Sequence, residues 1–246
     1  MNTGKLEIGI IGRGRFGGLL YEQLQRALGP DVRVKAFDAK LPEANKLEDV
    51  LDSRVVFCCV PISELRSVLK QIDPIITKGT VVVDVCSVKM LPAEWMLEIL
   101  PEGCEICATH PIFGPDSVRN NGDSLAGLPL VFCPVRLSAQ SESFLKGVFV
   151  DKLGVSLKEM SPEEHDRKMA YSLLYTHLVG RIGQQMEVGT TGIDTKGFEK
   201  LLEVQQYVVN DSWQLFKDMN LYNPFATEMR KKFKKALEDI ESELNN

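Results

Sequence analysis

The apolar run Leu6–Ile11 breaks into Gly12-Arg13-Gly14-Arg15-Phe16-Gly17, and a helical pattern follows from Arg15 to Ala27. Few local patterns restrict a fold more. The first glycine permits a tight turn, the second lets backbone approach a diphosphate, and the third lets helix and strand pack closely. The free N–H groups and positive dipole end of the helix then face the anion. A second apolar run, Val32–Phe37, ends on Asp38. That acid stands about 20 residues past the last glycine, where a carboxylate accepts hydrogen bonds from ribose hydroxyls. The chain is therefore expected to open with a dinucleotide-binding βαβ unit. Gly12, Gly14, Arg15, Phe16, Gly17 and Asp38 are assigned to the cofactor, with Val60 and Pro61 at the end of the third strand. Asp38 repels a 2′-phosphate and so favours NAD, while Arg13 and Lys40 beside it keep NADP as the alternative.

Strand and helix signals alternate as far as Glu159. Val55–Cys59, Thr80–Val85, Glu105–Ala108, Pro129–Phe132 and Val155–Lys158 read as further strands, with helical periodicity over Ile62–Ile76 and Ser141–Leu153. Unbroken apolarity, as in Val81-Val82-Val83, marks strands covered on both faces. Residues 1–160 are thus expected to form an α/β nucleotide-binding (Rossmann-like) domain with a mainly parallel sheet. After Ser161-Pro162-Glu163-Glu164, which reads as a helix-starting capping box, strand signals vanish. Residues 161–246 are expected to be all-α, with apolar side chains around most of each helix. Such helices bury the excess against another subunit, which predicts a homodimer through the carboxyl-terminal helices.

Composition narrows the function classes. A net charge of −5 gives no electrostatic support for nucleic acid. The basic run Arg230–Lys235 leads into Leu237, Ile240 and Leu244 with acids between them, and reads as the solvated face of a last amphipathic helix. No apolar stretch approaches the roughly 20 residues of a membrane span, and no leader is read at the amino terminus, so a cytoplasmic location is expected. The six cysteines lie mostly in or beside apolar runs. Cys104 and Cys107 form a CxxC in an alternating, strand-like context without a second ligand pair, so no metal is expected.

His110 is one of three histidines, in Ala108-Thr-His-Pro-Ile-Phe-Gly-Pro115. It follows a strand of the parallel sheet, at the end where such folds bind ligands. A rigid Pro/Gly turn is expected to expose it, which makes it a general-base candidate. Ser87 and Lys89 lie past the end of the preceding strand. For Ser87 the rival reading is a helix cap, and for Lys89 a solvated face. His165 and His177 stand twelve positions apart, about 120° around a regular helix, so they are not expected to converge on a shared metal.

Asp84-Val-Cys-Ser87-Val-Lys89, Thr109-His110-Pro111-Ile112-Phe113-Gly114-Pro115, Glu164-His165-Asp166-Arg167 and Thr176-His177-Leu-Val-Gly-Arg181 together resemble the prephenate/arogenate dehydrogenase family of tyrosine biosynthesis. The likeness is strongest to its plant-type arogenate dehydrogenases. It continues through Asp194-Thr-Lys196-Gly197-Phe198-Glu199 and Asn210-Asp211-Ser212-Trp213, and so spans nearly the whole chain. It implies a nucleotide-binding domain followed by a helical dimerisation domain, and an oxidative decarboxylation of arogenate or prephenate. Hydride leaves ring C4 for the nicotinamide, the C4 hydroxyl loses its proton, and the ring carboxylate departs as CO2. The resemblance assigns the proton to His110, makes Ser87 its orienter, gives Lys89 an electrostatic contact with substrate, and places His177 in the substrate site. Many bacterial members hold the ring carboxylate with an arginine where this chain carries Glu203, so Arg181 and Lys196 become the substitute anion partners. Asp211, or Glu203, is expected to favour the ammonium of arogenate. The competing readings are another small nicotinamide dehydrogenase, of 3-hydroxyacid or pyrroline-carboxylate type, and a regulator that binds NAD(H) without chemistry.

Overall fold

The computed structural model describes residues 6–41 and 45–245, which fall into two compact units, Met1–Pro162 and Glu163–Asn246. The first is built on a seven-stranded sheet. Its strands are β1 (Leu6–Ile11), β2 (Val32–Phe37), β3 (Val55–Cys58), β4 (Val81–Asp84), β5 (Glu105–Pro111), β6 (Pro129–Arg136) and β7 (Ser156–Glu159), in spatial order β2-β1-β3-β4-β5-β6-β7. All neighbours are parallel except β5 and β6. The chain reverses its direction of travel across the sheet between β1 and β3, so the carboxyl ends of these strands flank the crevice in which open α/β sheets bind ligands.

Helices cover both faces. α1 (Arg15–Leu28) follows β1 and buries Leu20 and Leu24 against Ile8, Ile10, Val34 and Val83. The short α2 (Leu47–Leu51) precedes β3, and α3 (Ile62–Ile72) follows it. α3 is shorter than its periodicity suggests, because Pro74 has no N–H with which to continue the helix. α4 (Met90–Ile99) and α5 (Pro115–Asn120) were not legible as helices: α4 is apolar on most sides, and α5 is six residues long. α6 (Ala139–Lys146) starts on a Ser138 side-chain cap and runs into a wider π turn over Gly147–Lys152.

The second unit is helical throughout its described elements. α7 (Pro162–Met169) and α8 (Tyr175–Gln185) are joined by a π turn, Ala170–Leu174. A single π turn absorbs one extra residue, which removes about 100° from the angle between side chains on either side of it. Regular-helix spacing therefore does not carry across from His165 to His177, and both are buried. α9 (Lys196–Val209) packs on α8, and α10 (Trp213–Tyr222) and α11 (Ala226–Leu244) complete the unit. Asn223 joins these pieces. Its Nδ2 donates to the Asp166 carbonyl at 2.8 Å, while its Oδ1 accepts the Phe225 N–H at 2.9 Å at the start of α11.

Asn223 is buried, so Asn223→Ala leaves a carbonyl and an N–H without these bonds. It is expected to cost about 1–3 kcal/mol, read as a lower midpoint in chemical denaturation. An unchanged midpoint shows that water or rearranged backbone replaces both bonds.

Candidate active site

The glycine loop is built by close approach. Gly12 has φ +95°, and a Cβ on it would lie 2.4 Å from the Cys59 carbonyl oxygen; a Cβ on Gly17 would lie 1.9 Å from the Gly12 carbonyl oxygen. Both obstacles are backbone, so neither can yield. At Gly14, by contrast, a Cβ meets nothing within 4 Å. α1 begins there with no side-chain cap and no acid in its first turn, leaving its leading N–H groups for an anion. These residues fit a dinucleotide diphosphate. Asp38 closes the loop from β2: its Oδ2 accepts the Arg13 N–H at 2.7 Å and its Oδ1 the Lys40 N–H at 2.8 Å. Val60 borders Gly12, and Pro61 leads into α3. Arg15 ion-pairs with Asp116 at 3.1 Å, and the Phe16 ring packs on Phe113 at 6.2 Å. The loop is thus tied to the segment that follows His110.

His110 belongs to β5 itself, which corrects the expectation of an exposed turn histidine. Parallel pairing with β4 ends at Asp84↔Ala108, whereas antiparallel pairing with β6 continues through Thr109↔Phe132, His110↔Val131 and Pro111↔Leu130. Pro111 is tolerated because ladder bonds alternate sides. The Ile112 N–H donates to the Pro129 carbonyl, so the Pro111 nitrogen faces the side that β4 has left. Thr109 and Pro111 line an apolar cavity with Phe16 and Phe113, and alternation turns His110 to the opposite face, where it is 6% exposed.

Lys89 also departs from expectation. It is not on a solvated face: its side chain is 0% exposed, paired with the equally buried Asp84, and its ammonium donates to the Thr109 carbonyl at 2.6 Å. Burial pushes the Asp84 carboxyl above its ordinary range, against the pull of Lys89 and of the Cys86 N–H. Ser87, half-buried, sits in the bend before α4 and is not its cap, a position held by Lys89. The burial of Asp84 was not legible, because an acid closing an apolar strand reads as a solvent-facing end.

In the helical unit three expected residues converge. His177 Nε2 lies 3.6 Å from Asp211 Oδ2, and Arg181 donates to the Asp211 carbonyl at 2.5 Å and to Gln184 Oε1 at 3.2 Å. Phe216 stacks on the His177 ring at 6.4 Å and 15°, and the Arg181 guanidinium lies 5.3 Å from the Trp213 ring centre. These two aromatics were missed, although their i,i+3 spacing directly after Asp211 was visible. His177 Nδ1 and Arg181 Nε are buried without a hydrogen-bond partner. Such atoms are costly unless something else satisfies them. Lys196 stands apart in character: its side chain is 91% exposed and bonded to Glu199 at 2.8 Å, and Glu203 is exposed on α9.

Residues 28–148 match the model "Prephenate dehydrogenase, nucleotide-binding domain", and residues 182–246 match "TYRAAT1-like, C-terminal domain". Arogenate dehydrogenase 2, chloroplastic, of Arabidopsis thaliana is 33% identical over 97% of this chain and 70% of its own length. The chain belongs to the prephenate/arogenate dehydrogenase family. Arogenate dehydrogenase 1, chloroplastic, of the same plant is 34% identical over 98% of the chain, which spans 39% of that longer protein. Two crystal structures share the fold. Synechocystis arogenate dehydrogenase has a TM-score of 0.70 at 20% identity, over 98% of this chain and 92% of its own. Prephenate dehydrogenase from A. aeolicus, in complex with hydroxyphenyl propionate and NAD+, has a TM-score of 0.73 at 19% identity, over 96% and 90%.

Burial holds the His177 imidazole below its ordinary pKa, with Asp211 opposing the shift and Arg181 adding to it. The unfolded chain protonates this histidine near pH 6.5, while the folded one resists. Its contribution to stability is therefore complete above about 6.5 and is lost as pH falls through the lower folded value. Denaturation midpoints taken between about pH 7.5 and 5 are expected to fall less steeply in His177→Gln than in the parent. Equal slopes assign the acid sensitivity to other groups.

Proposed function

We propose that this protein is an NAD(P)-dependent dehydrogenase that converts arogenate, in preference to prephenate, by oxidative decarboxylation, with His110 taking the C4-hydroxyl proton. The observation that carries the reading is the placement of His110 on the stretch of β5 that outruns β4. The segment after it is tied to the glycine loop through Arg15–Asp116 and Phe16–Phe113. A bound nicotinamide supplies the hydride acceptor. The chain then has to hold the ring, accept one proton and let carboxylate leave as CO2, the electron pair of the broken C–C bond entering the ring as it aromatises. A neutral imidazole suits that transfer at cellular pH. Ser87, in the bend beside β4, is the orienter of His110 in this reading.

Support for the substrate comes from the helical unit. Arg181 offers a buried cation whose Nε lacks a partner, suited to a ring carboxylate, and His177 offers a second polar atom of the same kind. Asp211 supplies the negative charge that an ammonium-bearing side chain needs and a keto group does not. Lys196, bonded to Glu199 in solvent, is the weaker anion partner. Asp38 at the end of β2 favours NAD by its charge. The second reading, NADP, is favoured by Arg13 and Lys40 flanking a carboxylate whose two oxygens already accept loop N–H bonds. All six cysteines are free, in keeping with a reducing compartment such as the cytoplasm; no described helix is long and apolar enough to cross a membrane.

Reduced-nicotinamide absorbance, followed with both ring acids and both dinucleotides, is expected to give the higher kcat/KM for arogenate. His110→Asn is expected to lower kcat by about 10²–10⁴-fold while dinucleotide binding persists. Turnover of neither acid, or an undiminished His110→Asn variant, removes the assignment.

The homodimer is proposed to form through α11. Phe233, Leu237, Ile240 and Leu244 recur at spacings of 4, 3 and 4, the seam of a heptad. The last three are 53%, 56% and 80% exposed. The first half of this helix carries Arg230, Lys231, Lys232, Lys234 and Lys235, the second Glu238, Asp239, Glu241 and Glu243. Antiparallel pairing of two copies sets the basic half of each against the acidic half of the other. Light scattering is expected to return twice the 27.5 kDa chain mass, and Ile240→Glu to return the monomer. A monomeric parent defeats the dimer, and a dimeric Ile240→Glu variant moves the interface elsewhere.

A further inference from the structure

We infer that Asp84, Lys89 and Thr109 form a positioning clamp that holds the His110 backbone in register for proton transfer; this rests on the reading of His110 as the base. The argument begins with a missing neighbour. β4 leaves the sheet after Asp84, so Thr109, His110 and Pro111 lose their partner strand on that side while β6 still pairs them on the other. Side chains take over what the ladder no longer supplies. The Lys89 ammonium donates to the Thr109 carbonyl at 2.6 Å, and the Thr109 hydroxyl donates back to the Asp84 carbonyl at 2.6 Å. Lys89 in turn is held by the Asp84 carboxylate, itself fixed by the Cys86 N–H at 2.9 Å. The three residues have essentially no exposed surface.

All three are sealed from solvent, so they act through His110. The peptide that the clamp grips is the one joining Thr109 to His110. A shift there is passed directly to the imidazole, whereas the glycine loop, between β1 and α1, makes none of the clamp's hydrogen bonds. Loss of the clamp should therefore appear in kcat and spare cofactor affinity. A small displacement of a reacting group is enough to cost one to two decades in rate.

The test compares Thr109→Val, which keeps the shape and removes the hydroxyl, with Thr109→Ser, which restores it. With arogenate and whichever dinucleotide the parent uses, Thr109→Val is expected to lower kcat about ten- to a hundredfold. Substrate KM and dinucleotide Kd should stay within about twofold, and Thr109→Ser should recover most of the loss. The double variant Asp84→Leu/Lys89→Met, which replaces the ion pair with apolar volume, is expected to behave like Thr109→Val; should it not fold, the threonine pair alone decides. If Thr109→Val retains the parent kcat while His110→Asn is inactive, the clamp is overturned and the base stands. If His110→Asn is also fully active, the reading of His110 itself has failed.

Discussion

The close packing of Gly17 on the Gly12 carbonyl, where a Cβ would lie 1.9 Å from the oxygen, is the constraint on which the rest of the nucleotide-binding unit depends. It lets α1 start directly against the carboxyl ends of β1 and β3, with no side chain between them. Because the helix starts there, its leading N–H groups open at the edge of the sheet, and Arg15 and Phe16 on its first turn reach Asp116 and Phe113. A methyl group at Gly17 would push the helix away from the strand ends and loosen both links together. The packing of two glycines therefore bears on the segment that follows His110, far along the sequence.

The helical unit solves a different problem. Two polar atoms, His177 Nδ1 and Arg181 Nε, are buried without partners, and an unmet buried donor or acceptor costs about 1–3 kcal/mol. Stability alone would favour apolar residues at both positions. The surrounding groups are arranged to hold rather than quench them: Phe216 fixes the imidazole plane by stacking, and Trp213 covers the guanidinium from one side. Burial keeps His177 largely neutral, and Asp211 limits how far its pKa falls. A cation, an imidazole and a carboxylate thus stand within one cluster, each with a different chemical character.

How much of this was legible in the sequence depended on whether a feature is local. The glycine loop, Asp38 and the order of strand and helix signals could be read directly, since each follows from backbone sterics or periodicity within a few residues. The limits of α3 were misjudged for a local reason, Pro74, which was in view. The helicity of α4 was hidden because Met90–Ile99 is buried on most sides and shows no clear stripe. The π turn at Ala170–Leu174 escaped altogether, and regular-helix arithmetic between His165 and His177 fails across it. Lys89 was misread for a tertiary reason. A lysine after a strand is usually solvated, and nothing nearby in sequence announces that Asp84 and the Thr109 carbonyl close over it.

That misreading bears on why the chain tolerates so unfavourable an arrangement. A lysine and an aspartate without solvent gain little stability over well-packed apolar residues, and separating them costs about 3–5 kcal/mol. What the pair supplies that apolar residues cannot is direction. An ammonium with several donors can bridge a carboxylate and a peptide carbonyl at once, fixing one strand end against another where backbone hydrogen bonds have run out. Here β4 ends at Asp84, and the buried pair supplies the bracing that a further strand residue would otherwise give.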